Sequence, residues 1–378
     1  MGAWRLRMGD IQLGGDNLKV AVYAICKNEA KNVPRWYDSI AEADGVFVTD
    51  TGSTDNTVEL LKERGVNVFH AEIEPWRFDV ARNVSLENVP EDYDVCLCID
   101  LDEVMEKGWR KKVERIFQIY PQATLIRWPF VFSWFDEKCT KPKTSMYQWK
   151  IHVRHGYHWE SPIHEVLAWH GSGETLEVYC EDIHSWHYQD LSKPREYQKL
   201  IDKAVSEDPA DQRLSWLRAR ELMMHNRFEE AIEEAKRHLD LTKEIEEGEN
   251  RMVIEQLRAL SMRYISQALM QRHKQDKTVD AGEVIEWMLK SVAECPWLRE
   301  SWVALAQAWA LFDQWEQVYA CATFAQTIKA RTNSIENDEL AWGDYPEKLA
   351  KMAWKQIKKG GKRFEQQAKN RRSESVKA

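Results

Sequence analysis

The sequence predicts an α/β domain with a mainly parallel sheet, followed by an all-helical domain. Short apolar runs alternate with amphipathic segments over residues 19–130, a pattern typical of right-handed βαβ units. From about residue 194 onward, apolar residues recur at helical spacing. With 378 residues and 43% hydrophobic content, the chain is long enough for two or three domains with their own cores.

Strands and helices are expected to alternate in the first domain. The strands are predicted at 19–25, 45–50, 66–70, 95–99 and 124–132, and the helices at 32–43, 53–64, 78–87 and 108–120. Pro34 suits the first turn of its helix, which needs no backbone donor there, and Gly65 can end the next helix. Residues 133–190 are rich in Trp, His and Tyr. They are expected to form loops and strands over the open edge of the sheet.

The second domain shows an internal repeat. Helices are predicted at 214–224, 228–240, 251–271, 281–293, 299–311 and 315–329. At a separation of 87 residues, Pro209 matches Pro296 and Phe228 matches Trp315. The segment 227–235 (RFEEAIEEA) resembles the second helix of a tetratricopeptide repeat, which predicts three irregular helical hairpins. A plain helical bundle is the alternative.

Composition narrows the class of protein. The net charge of -9 and a pI near 5.8 argue against a protein that coats nucleic acid. The seven cysteines show no metal-ligand spacing, which suits a reducing cytoplasm, and no signal peptide or transmembrane segment is recognised. The predicted divisions are a disordered leader (1–18), an α/β domain (19–193), a helical domain (194–354) and a basic tail (355–378). The tail holds nine Lys and Arg against two Glu and is expected to be solvated and disordered. Contact with phosphates or an anionic surface is the alternative.

Asp100-Leu101-Asp102-Glu103 is the most informative segment for chemistry. It follows the apolar run 95–99, which predicts a buried strand. Open α/β sheets place their ligands beyond the carboxyl ends of such strands. Carboxylate oxygens at this position suit a hard divalent cation such as Mg²⁺ or Mn²⁺.

Four segments in this order resemble the inverting family 2 glycosyltransferases, which have the Rossmann-like GT-A fold. They are 24–29 (AICKNE), 48–57 (VTDTGSTDNT), 79–83 (DVARN) and 100–103 (DLDE). The resemblance covers about residues 19–190. It implies a hexosyltransferase-type activity, in which a sugar is transferred from a nucleotide-sugar donor. UDP-sugars are the favoured donors.

The resemblance implies a donor site made of polar residues at the strand ends. Asp50 would accept a hydrogen bond from the base or ribose, with Glu29 beside it. Arg82 would pair with the diphosphate or with Asp100, and Arg154 would hold phosphate or the donor sugar. Charge at a helix N-terminus is the structural alternative for Glu29, and a surface salt bridge is the alternative for Arg82.

The resemblance also implies a Mn²⁺ or Mg²⁺ site. In the family the second aspartate, here Asp102, binds the cation directly, and Asp100 contacts ribose or reaches the cation through water. The cation neutralises the leaving diphosphate. The segment 183–188 (IHSWHY) resembles the late histidine motif of the family without its glycine, so His187 or His184 would complete the metal shell. A buried, hydrogen-bonded histidine is the alternative for each.

An inverting transfer needs a base for the acceptor hydroxyl or thiol. The segment 161–167 (SPIHEVL) resembles the His-Glu segment of a subgroup that often carries repeat-like C-terminal domains. Glu165 is therefore the expected base and His164 a neighbour of phosphate or metal, although the two roles could be exchanged. Asp136 is the rival base.

These observations predict a metal-dependent inverting glycosyltransferase whose helical domain presents the acceptor or forms a homodimer. A peptide or protein acceptor is suggested by analogy with related enzymes. A lipid-linked or lipopolysaccharide glycan and a modified DNA base, as in phage enzymes, are the alternative acceptors. An inactive transferase-derived helical scaffold is the alternative from another class of protein.

Overall fold

The computed structural model describes residues 18–189, 197–244, 251–277, 279–332 and 337–375, with side chains up to residue 360. The chain divides into two compact units, Met1–Arg195 and Glu196–Ala378. The predicted disordered leader lies outside the described residues except for Leu18. Among the described helices, none combines the length and apolar character that crossing a bilayer requires.

The N-terminal unit alternates strands and helices before ending in a run of strands. Its elements are β1 (Val20–Cys26), α1 (Val33–Ile40), β2 (Gly45–Asp50), α2 (Thr57–Lys62), β3 (Asn67–His70), α3 (Phe78–Glu87), β4 (Val95–Cys98), β5 (Glu103–Met105), α4 (Trp109–Ile119), β6 (Leu125–Trp134), β7 (Pro142–Val153), β8 (Tyr157–Glu160), β9 (Val166–Trp169), β10 (Glu177–Tyr179) and β11 (Ser185–His187).

The main sheet has the strand order β3-β2-β1-β4-β7-β6-β11-β5, with β10 alongside β6. Strands β1 to β4 run parallel, so their carboxyl ends share one edge. Strand β7 runs antiparallel to β4, with Leu97 opposite Ile151 and Val95 opposite Val153. The end of β7 therefore lies at the start of β4, and residues before Ile151 lie near its carboxyl end.

Both faces of this sheet are covered, as continuous apolar strands require. Every residue of β4 is buried, and β1 is buried except for Ile25. Trp36 of α1 and Trp109 of α4 pack in the core on one face. Cys96 and Cys98 point to the other core with Trp159 of β8, and burial raises the pKa of Cys98 to about 11. These cysteines are buried thiols that fill space in the core.

The C-terminal unit is built almost entirely from helices. Its elements are α5 (Tyr197–Glu207), α6 (Gln212–Met224), α7 (Phe228–Leu241), α8 (Arg251–Asp276), α9 (Ala281–Glu294), α10 (Arg299–Leu311), α11 (Trp315–Ala325), a short extended segment β12 (Asn337–Asp338), α12 (Glu339–Trp342) and α13 (Tyr345–Ser375).

The predicted internal repeat is visible in the helical hairpins. Helices α6 and α10 begin at Gln212 and Arg299, 87 residues apart. The turns that follow them contain Asn226 at φ 59° and Asp313 at φ 55°, at the same separation. Asn and Asp tolerate this left-handed conformation better than most residues. The two hairpins therefore share one turn geometry, and the resemblance to tetratricopeptide repeats stays a prediction.

The basic tail differs from the expectation of disorder, because α13 continues as a helix to Ser375. Its first turns are anchored by Leu349, Ala350 and Ala353, which are buried in the core of the unit. Beyond them the sequence is rich in Lys, Gln and Arg, which have high helix propensity, and it contains no proline. Packing against the core therefore fixes the first turns of α13, and the high helix propensity of the residues that follow extends the helix beyond the core.

A buried polar chain connects three strands of the N-terminal unit. Trp159 Nε1 donates to Tyr23 Oη at 2.8 Å, and Tyr23 Oη lies 2.9 Å from His152 Nε2. His152 Nδ1 lies 2.7 Å from the carbonyl oxygen of Val153, so Nδ1 carries the proton and Nε2 accepts from Tyr23. A neutral imidazole therefore satisfies both hydrogen-bond partners, the Tyr23 hydroxyl and the Val153 carbonyl. Burial lowers the pKa of His152 to about 4.

This network predicts loss of stability in mild acid. Because the pKa of His152 is lower in the folded chain, the unfolded chain binds the proton more readily between pH 6.5 and about 4. The neutral network thus contributes fully above pH 6.5, and about 2–3 kcal/mol is lost as the pH falls toward 4. The free energy of unfolding can be measured from hydrogen exchange of β1 and β7 amides in urea. The difference in this free energy between wild type and H152Q should shrink as the pH falls over this range. A difference independent of pH would contradict the assignment.

Candidate active site at the carboxyl edge of the sheet

Arg82 lies at the centre of the carboxyl edge of the sheet. It projects from the middle of α3 and is 4% exposed. Its Nη1 and Nη2 donate to Asp100 Oδ1 and Oδ2 at 2.8 and 2.9 Å, while Nε donates to Glu165 Oε1. The guanidinium therefore joins Asp100, two residues beyond the end of β4, to Glu165, the residue before β9. The face of Trp159 lies 5.2 Å from it.

Lys150 is a second, largely buried cation at this edge, with a side chain that is 12% exposed. Its Nζ lies 3.1 Å from Asp100 Oδ2 and 3.3 Å from Glu103 Oε1. Burial alone would raise the pKa of Asp100, but the charges of Arg82 and Lys150 hold it well below its usual range. Burial raises the pKa of Glu103 despite the opposing charge of Lys150. Asp100 is therefore held as a carboxylate between two cations.

Asp102 and His187 form a pair beside this cluster. His187 Nε2 lies 3.0 Å from Asp102 Oδ2, and its Nδ1 lies 3.0 Å from the carbonyl oxygen of Phe132. Burial lowers the pKa of His187, but the hydrogen bond and charge of Asp102 outweigh it and raise the pKa to about 8. The antiparallel pairing of β11 with β5, with His187 opposite Glu103, brings this histidine to the edge.

The Asp102 and His187 pair fits a divalent cation with open coordination positions. One carboxylate and one imidazole are acceptable ligands, and Mg²⁺ usually keeps waters and substrate phosphates as its remaining ligands. Adjacent ligands of an octahedral ion at about 2.1 Å stand about 3.0 Å apart, close to the observed separation of the two side chains. Among the described residues, no group of three His, Cys, Asp or Glu side chains forms a complete metal site.

Hydrogen bonds join the loop after β1 to the loop after β2. Asp50 accepts from the backbone N–H groups of Gly52 and Ser53, each at 3.2 Å, which lowers its pKa despite burial. Asn28 Oδ1 accepts from the N–H of Thr54 at 2.7 Å. Glu29 Oε2 accepts from Asn32 Nδ2 at 2.7 Å. Asp50 therefore shapes its own turn, in addition to any role toward a ligand.

The family follows from a comparison of the sequence. Residues 21–171 match the family model described as glycosyl transferase family 2. The N-terminal unit is a family 2 glycosyltransferase domain. The predicted GT-A fold is confirmed, with a parallel β3-β2-β1-β4 arrangement in its sheet, and the helical C-terminal unit is also confirmed.

A relative with a similar sequence matches part of this glycosyltransferase domain. A protein of Rickettsia bellii (strain RML369-C), named an uncharacterized glycosyltransferase, is 29% identical over 126 residues, 33% of this chain and 42% of the relative. The chain thus spans about two fifths of that relative's length.

Two solved structures share low identity with the chain. TarS 1–349 of S. aureus in complex with UDP-GlcNAc is 12% identical, covering 91% of this chain and 92% of that one, with a TM-score of 0.34. Glucosyl-3-phosphoglycerate synthase of Mycobacterium tuberculosis, in complex with Mn²⁺ and UDP-glucose, is 20% identical, covering 30% and 44%, with a TM-score of 0.25.

Three of the predicted site residues lie away from this cluster. Arg154 is at the start of β4 rather than its end, and its Nη2 donates to the carbonyl oxygen of Val89 at 2.7 Å. His184 is half-exposed, with Nδ1 3.7 Å from Glu106 Oε2. Asp136 lies in the exposed turn between β6 and β7, where hydrogen bonds from the Thr140 and Lys141 N–H groups lower its pKa. The strand register places Arg154 at the edge of the sheet opposite Asp100, so its predicted role toward the donor stays a prediction.

Lys150 is the functional candidate that the sequence did not reveal. It lies in β7 four residues before Arg154, which directly follows the last residue of that strand, so strand alternation favours the same face for both. Only the register against β4 decides which of the two reaches Asp100. His164 directly precedes Glu165 in the loop before β9, and its backbone is left-handed, with a φ of 50°.

Removal of Arg82 should destabilise the glycosyltransferase domain strongly. An R82A change leaves Asp100 and Glu165 without their shared cation, and breaking a buried pair in this way costs about 3–5 kcal/mol. R127A, which removes a more exposed ion pair with Glu177, is the matched control and should cost about 1 kcal/mol or less. The free energy of unfolding from urea titration distinguishes them. Equal losses in the two variants would contradict the central role of Arg82.

Proposed function

We propose that the chain is a metal-dependent inverting glycosyltransferase that moves a sugar from a nucleotide-sugar donor to an acceptor hydroxyl or thiol. The observation that carries this proposal is that Arg82 joins Asp100 and Glu165 at the same sheet edge where Asp102 pairs with His187. Family membership supplies the reaction class. UDP-sugars are the donors to test first.

The charge of the site supports a role for a cation. Once His187 gives up its proton to bind a metal, four carboxylates among the described side chains at this edge are left with two cations. These are Asp100, Asp102, Glu103 and Glu165 against Arg82 and Lys150. A diphosphate would be repelled by this excess of negative charge unless further positive charge entered with it. Mn²⁺ or Mg²⁺ held by Asp102 and His187 would supply that charge and stabilise the departing diphosphate.

Glu165 is the proposed base. Arg82 contacts its Oε1, and no hydrogen bond to Oε2 is found among the described residues, so Oε2 can take the acceptor proton. The acceptor oxygen or sulfur then attacks the anomeric carbon as the bond from that carbon to the diphosphate oxygen breaks. The leaving diphosphate keeps the electron pair. Asp136 is less suited, because backbone donors already occupy both of its oxygens.

An amide at position 165 should separate catalysis from donor binding. E165Q keeps the size of the side chain and a hydrogen-bond acceptor for Arg82 but cannot take a proton. We expect kcat to fall about 10²–10⁴-fold, the usual contribution of a general base, with the KM for donor little changed. D136N is the control and should keep wild-type kcat. Loss of activity in D136N with retention in E165Q would reverse the assignment of the base.

The metal proposal predicts nucleotide binding that depends on the cation. With Mn²⁺ present, UDP at 100 times its dissociation constant should stabilise the wild type by about 2.7 kcal/mol, measured by thermal unfolding. D102A and H187A should each weaken or abolish this gain, because each removes a proposed ligand. H184A should keep the stabilisation by UDP, since His184 faces Glu106 rather than Asp102. Equal UDP stabilisation with and without Mn²⁺ would contradict the proposal.

The acceptor belongs to the same proposal. A peptide or protein acceptor presented by the helical unit is the first class to screen, followed by lipid-linked or lipopolysaccharide glycans and modified DNA bases. A homodimer formed through the helical unit and a cytoplasmic location are part of the same hypothesis. Transfer of labelled sugar from a donor that binds with Mn²⁺ to members of each acceptor class provides the assay.

A further inference from the structure

Helix α13 presents a stripe of lysines to solvent. Leu349, Ala350 and Ala353 bury one side of the helix in the core of the helical unit. The opposite side carries exposed lysines at helical spacing. They are Lys348, Lys351, Lys355, Lys358 and Lys359. Spacings of three and four residues place these side chains along one face of a helix.

Large apolar side chains flank this lysine stripe. Trp354 is 46% exposed and Met352 is 42% exposed, and the helical positions of the two put them on either side of the stripe. Tyr319 of α11, 39% exposed, lies with its ring 5.4 Å from that of Trp354. Lys358 Nζ lies 5.2 Å from the centre of the Trp354 ring. The surface is therefore cationic in the middle and apolar at its margins.

The charge of the stripe is only partly neutralised. Lys348 pairs with Asp344 and Lys351 pairs with Glu347 within the helix. Lys355, Lys358 and Lys359 have no acidic partner among the side chains that the structure describes. Residues 355–378 contain nine Lys and Arg against two Glu, although the whole chain carries -9. Positive charge is thus concentrated on this helix in an otherwise acidic protein.

We propose that this face of α13 docks on an anionic lipid bilayer. Clusters of four to eight Lys or Arg bind acidic lipids electrostatically, and Trp favours the boundary between head groups and acyl chains. A nucleic acid would satisfy the lysines equally well, but it offers no apolar layer for Met352 at the margin. The lipid surface therefore accounts for both parts of the patch. This proposal does not rest on the transferase activity, because it concerns the helical unit alone.

Vesicle co-sedimentation of the full chain tests this proposal. The probes are phosphatidylcholine vesicles with and without phosphatidylglycerol, at low and high salt. We expect binding to the anionic vesicles that is at least about tenfold stronger than to neutral ones and that falls steeply with salt. K355E/K358E/K359E should lose at least about tenfold in affinity, and K355Q/K358Q/K359Q should lose less. W354A/M352A should weaken vesicle binding without changing its salt dependence.

The matched control reverses three exposed lysines of the N-terminal unit. K62E/K107E/K111E changes net charge by the same amount and should bind anionic vesicles like the wild type. Thermal unfolding verifies that each variant is folded. Absence of binding to anionic vesicles, or equal loss in the control, would overturn the proposal. Tighter binding to a short DNA duplex than to the vesicles, unaffected by W354A/M352A, would overturn it in favour of a nucleic acid.

Discussion

The buried guanidinium of Arg82 is the interaction on which the site depends. A charge in the interior is costly unless it is paired and hydrogen-bonded, and Arg82 meets this demand with Asp100 on one side and Glu165 on the other. The two carboxylates come from segments far apart in the sequence, after β4 and before β9. Because both carboxylates bind the guanidinium of Arg82, the two segments are held in place at the sheet edge. The planar geometry of arginine suits this bidentate role better than lysine would.

Much of the α/β unit could be predicted from local patterns. Helix α3 has the predicted bounds, 78–87, because its apolar residues recur at helical spacing between turn-forming segments. Strands β1, β2 and β4 read as short apolar runs because both of their faces are buried. Asp100 and Asp102 could be placed at the edge for the same reason, since they follow a recognisable buried strand.

Pairing of distant strands could not be read from the sequence. Strand β7 is half-polar along its length, so its hydrophobic pattern does not determine its register against β4. That register decides that Lys150 rather than Arg154 reaches Asp100. Strand β11 is only three residues long, and the choice between His187 and His184 depends on its pairing with β5. Helix α13 shows a related effect, since packing of its first turns overrides a composition that suggests disorder.

The proposed reaction requires one divalent ion and a diphosphate beside the carboxylates and cations at this edge of the sheet. A crystal structure of the protein with Mn²⁺ and UDP, with anomalous scattering used to locate manganese, tests this account most directly. We expect an anomalous peak within coordination distance of Asp102 and His187, with the diphosphate on the same ion and Lys150 and Arg82 nearby. Manganese at another position, or UDP bound away from the carboxyl edge of the sheet, would contradict it.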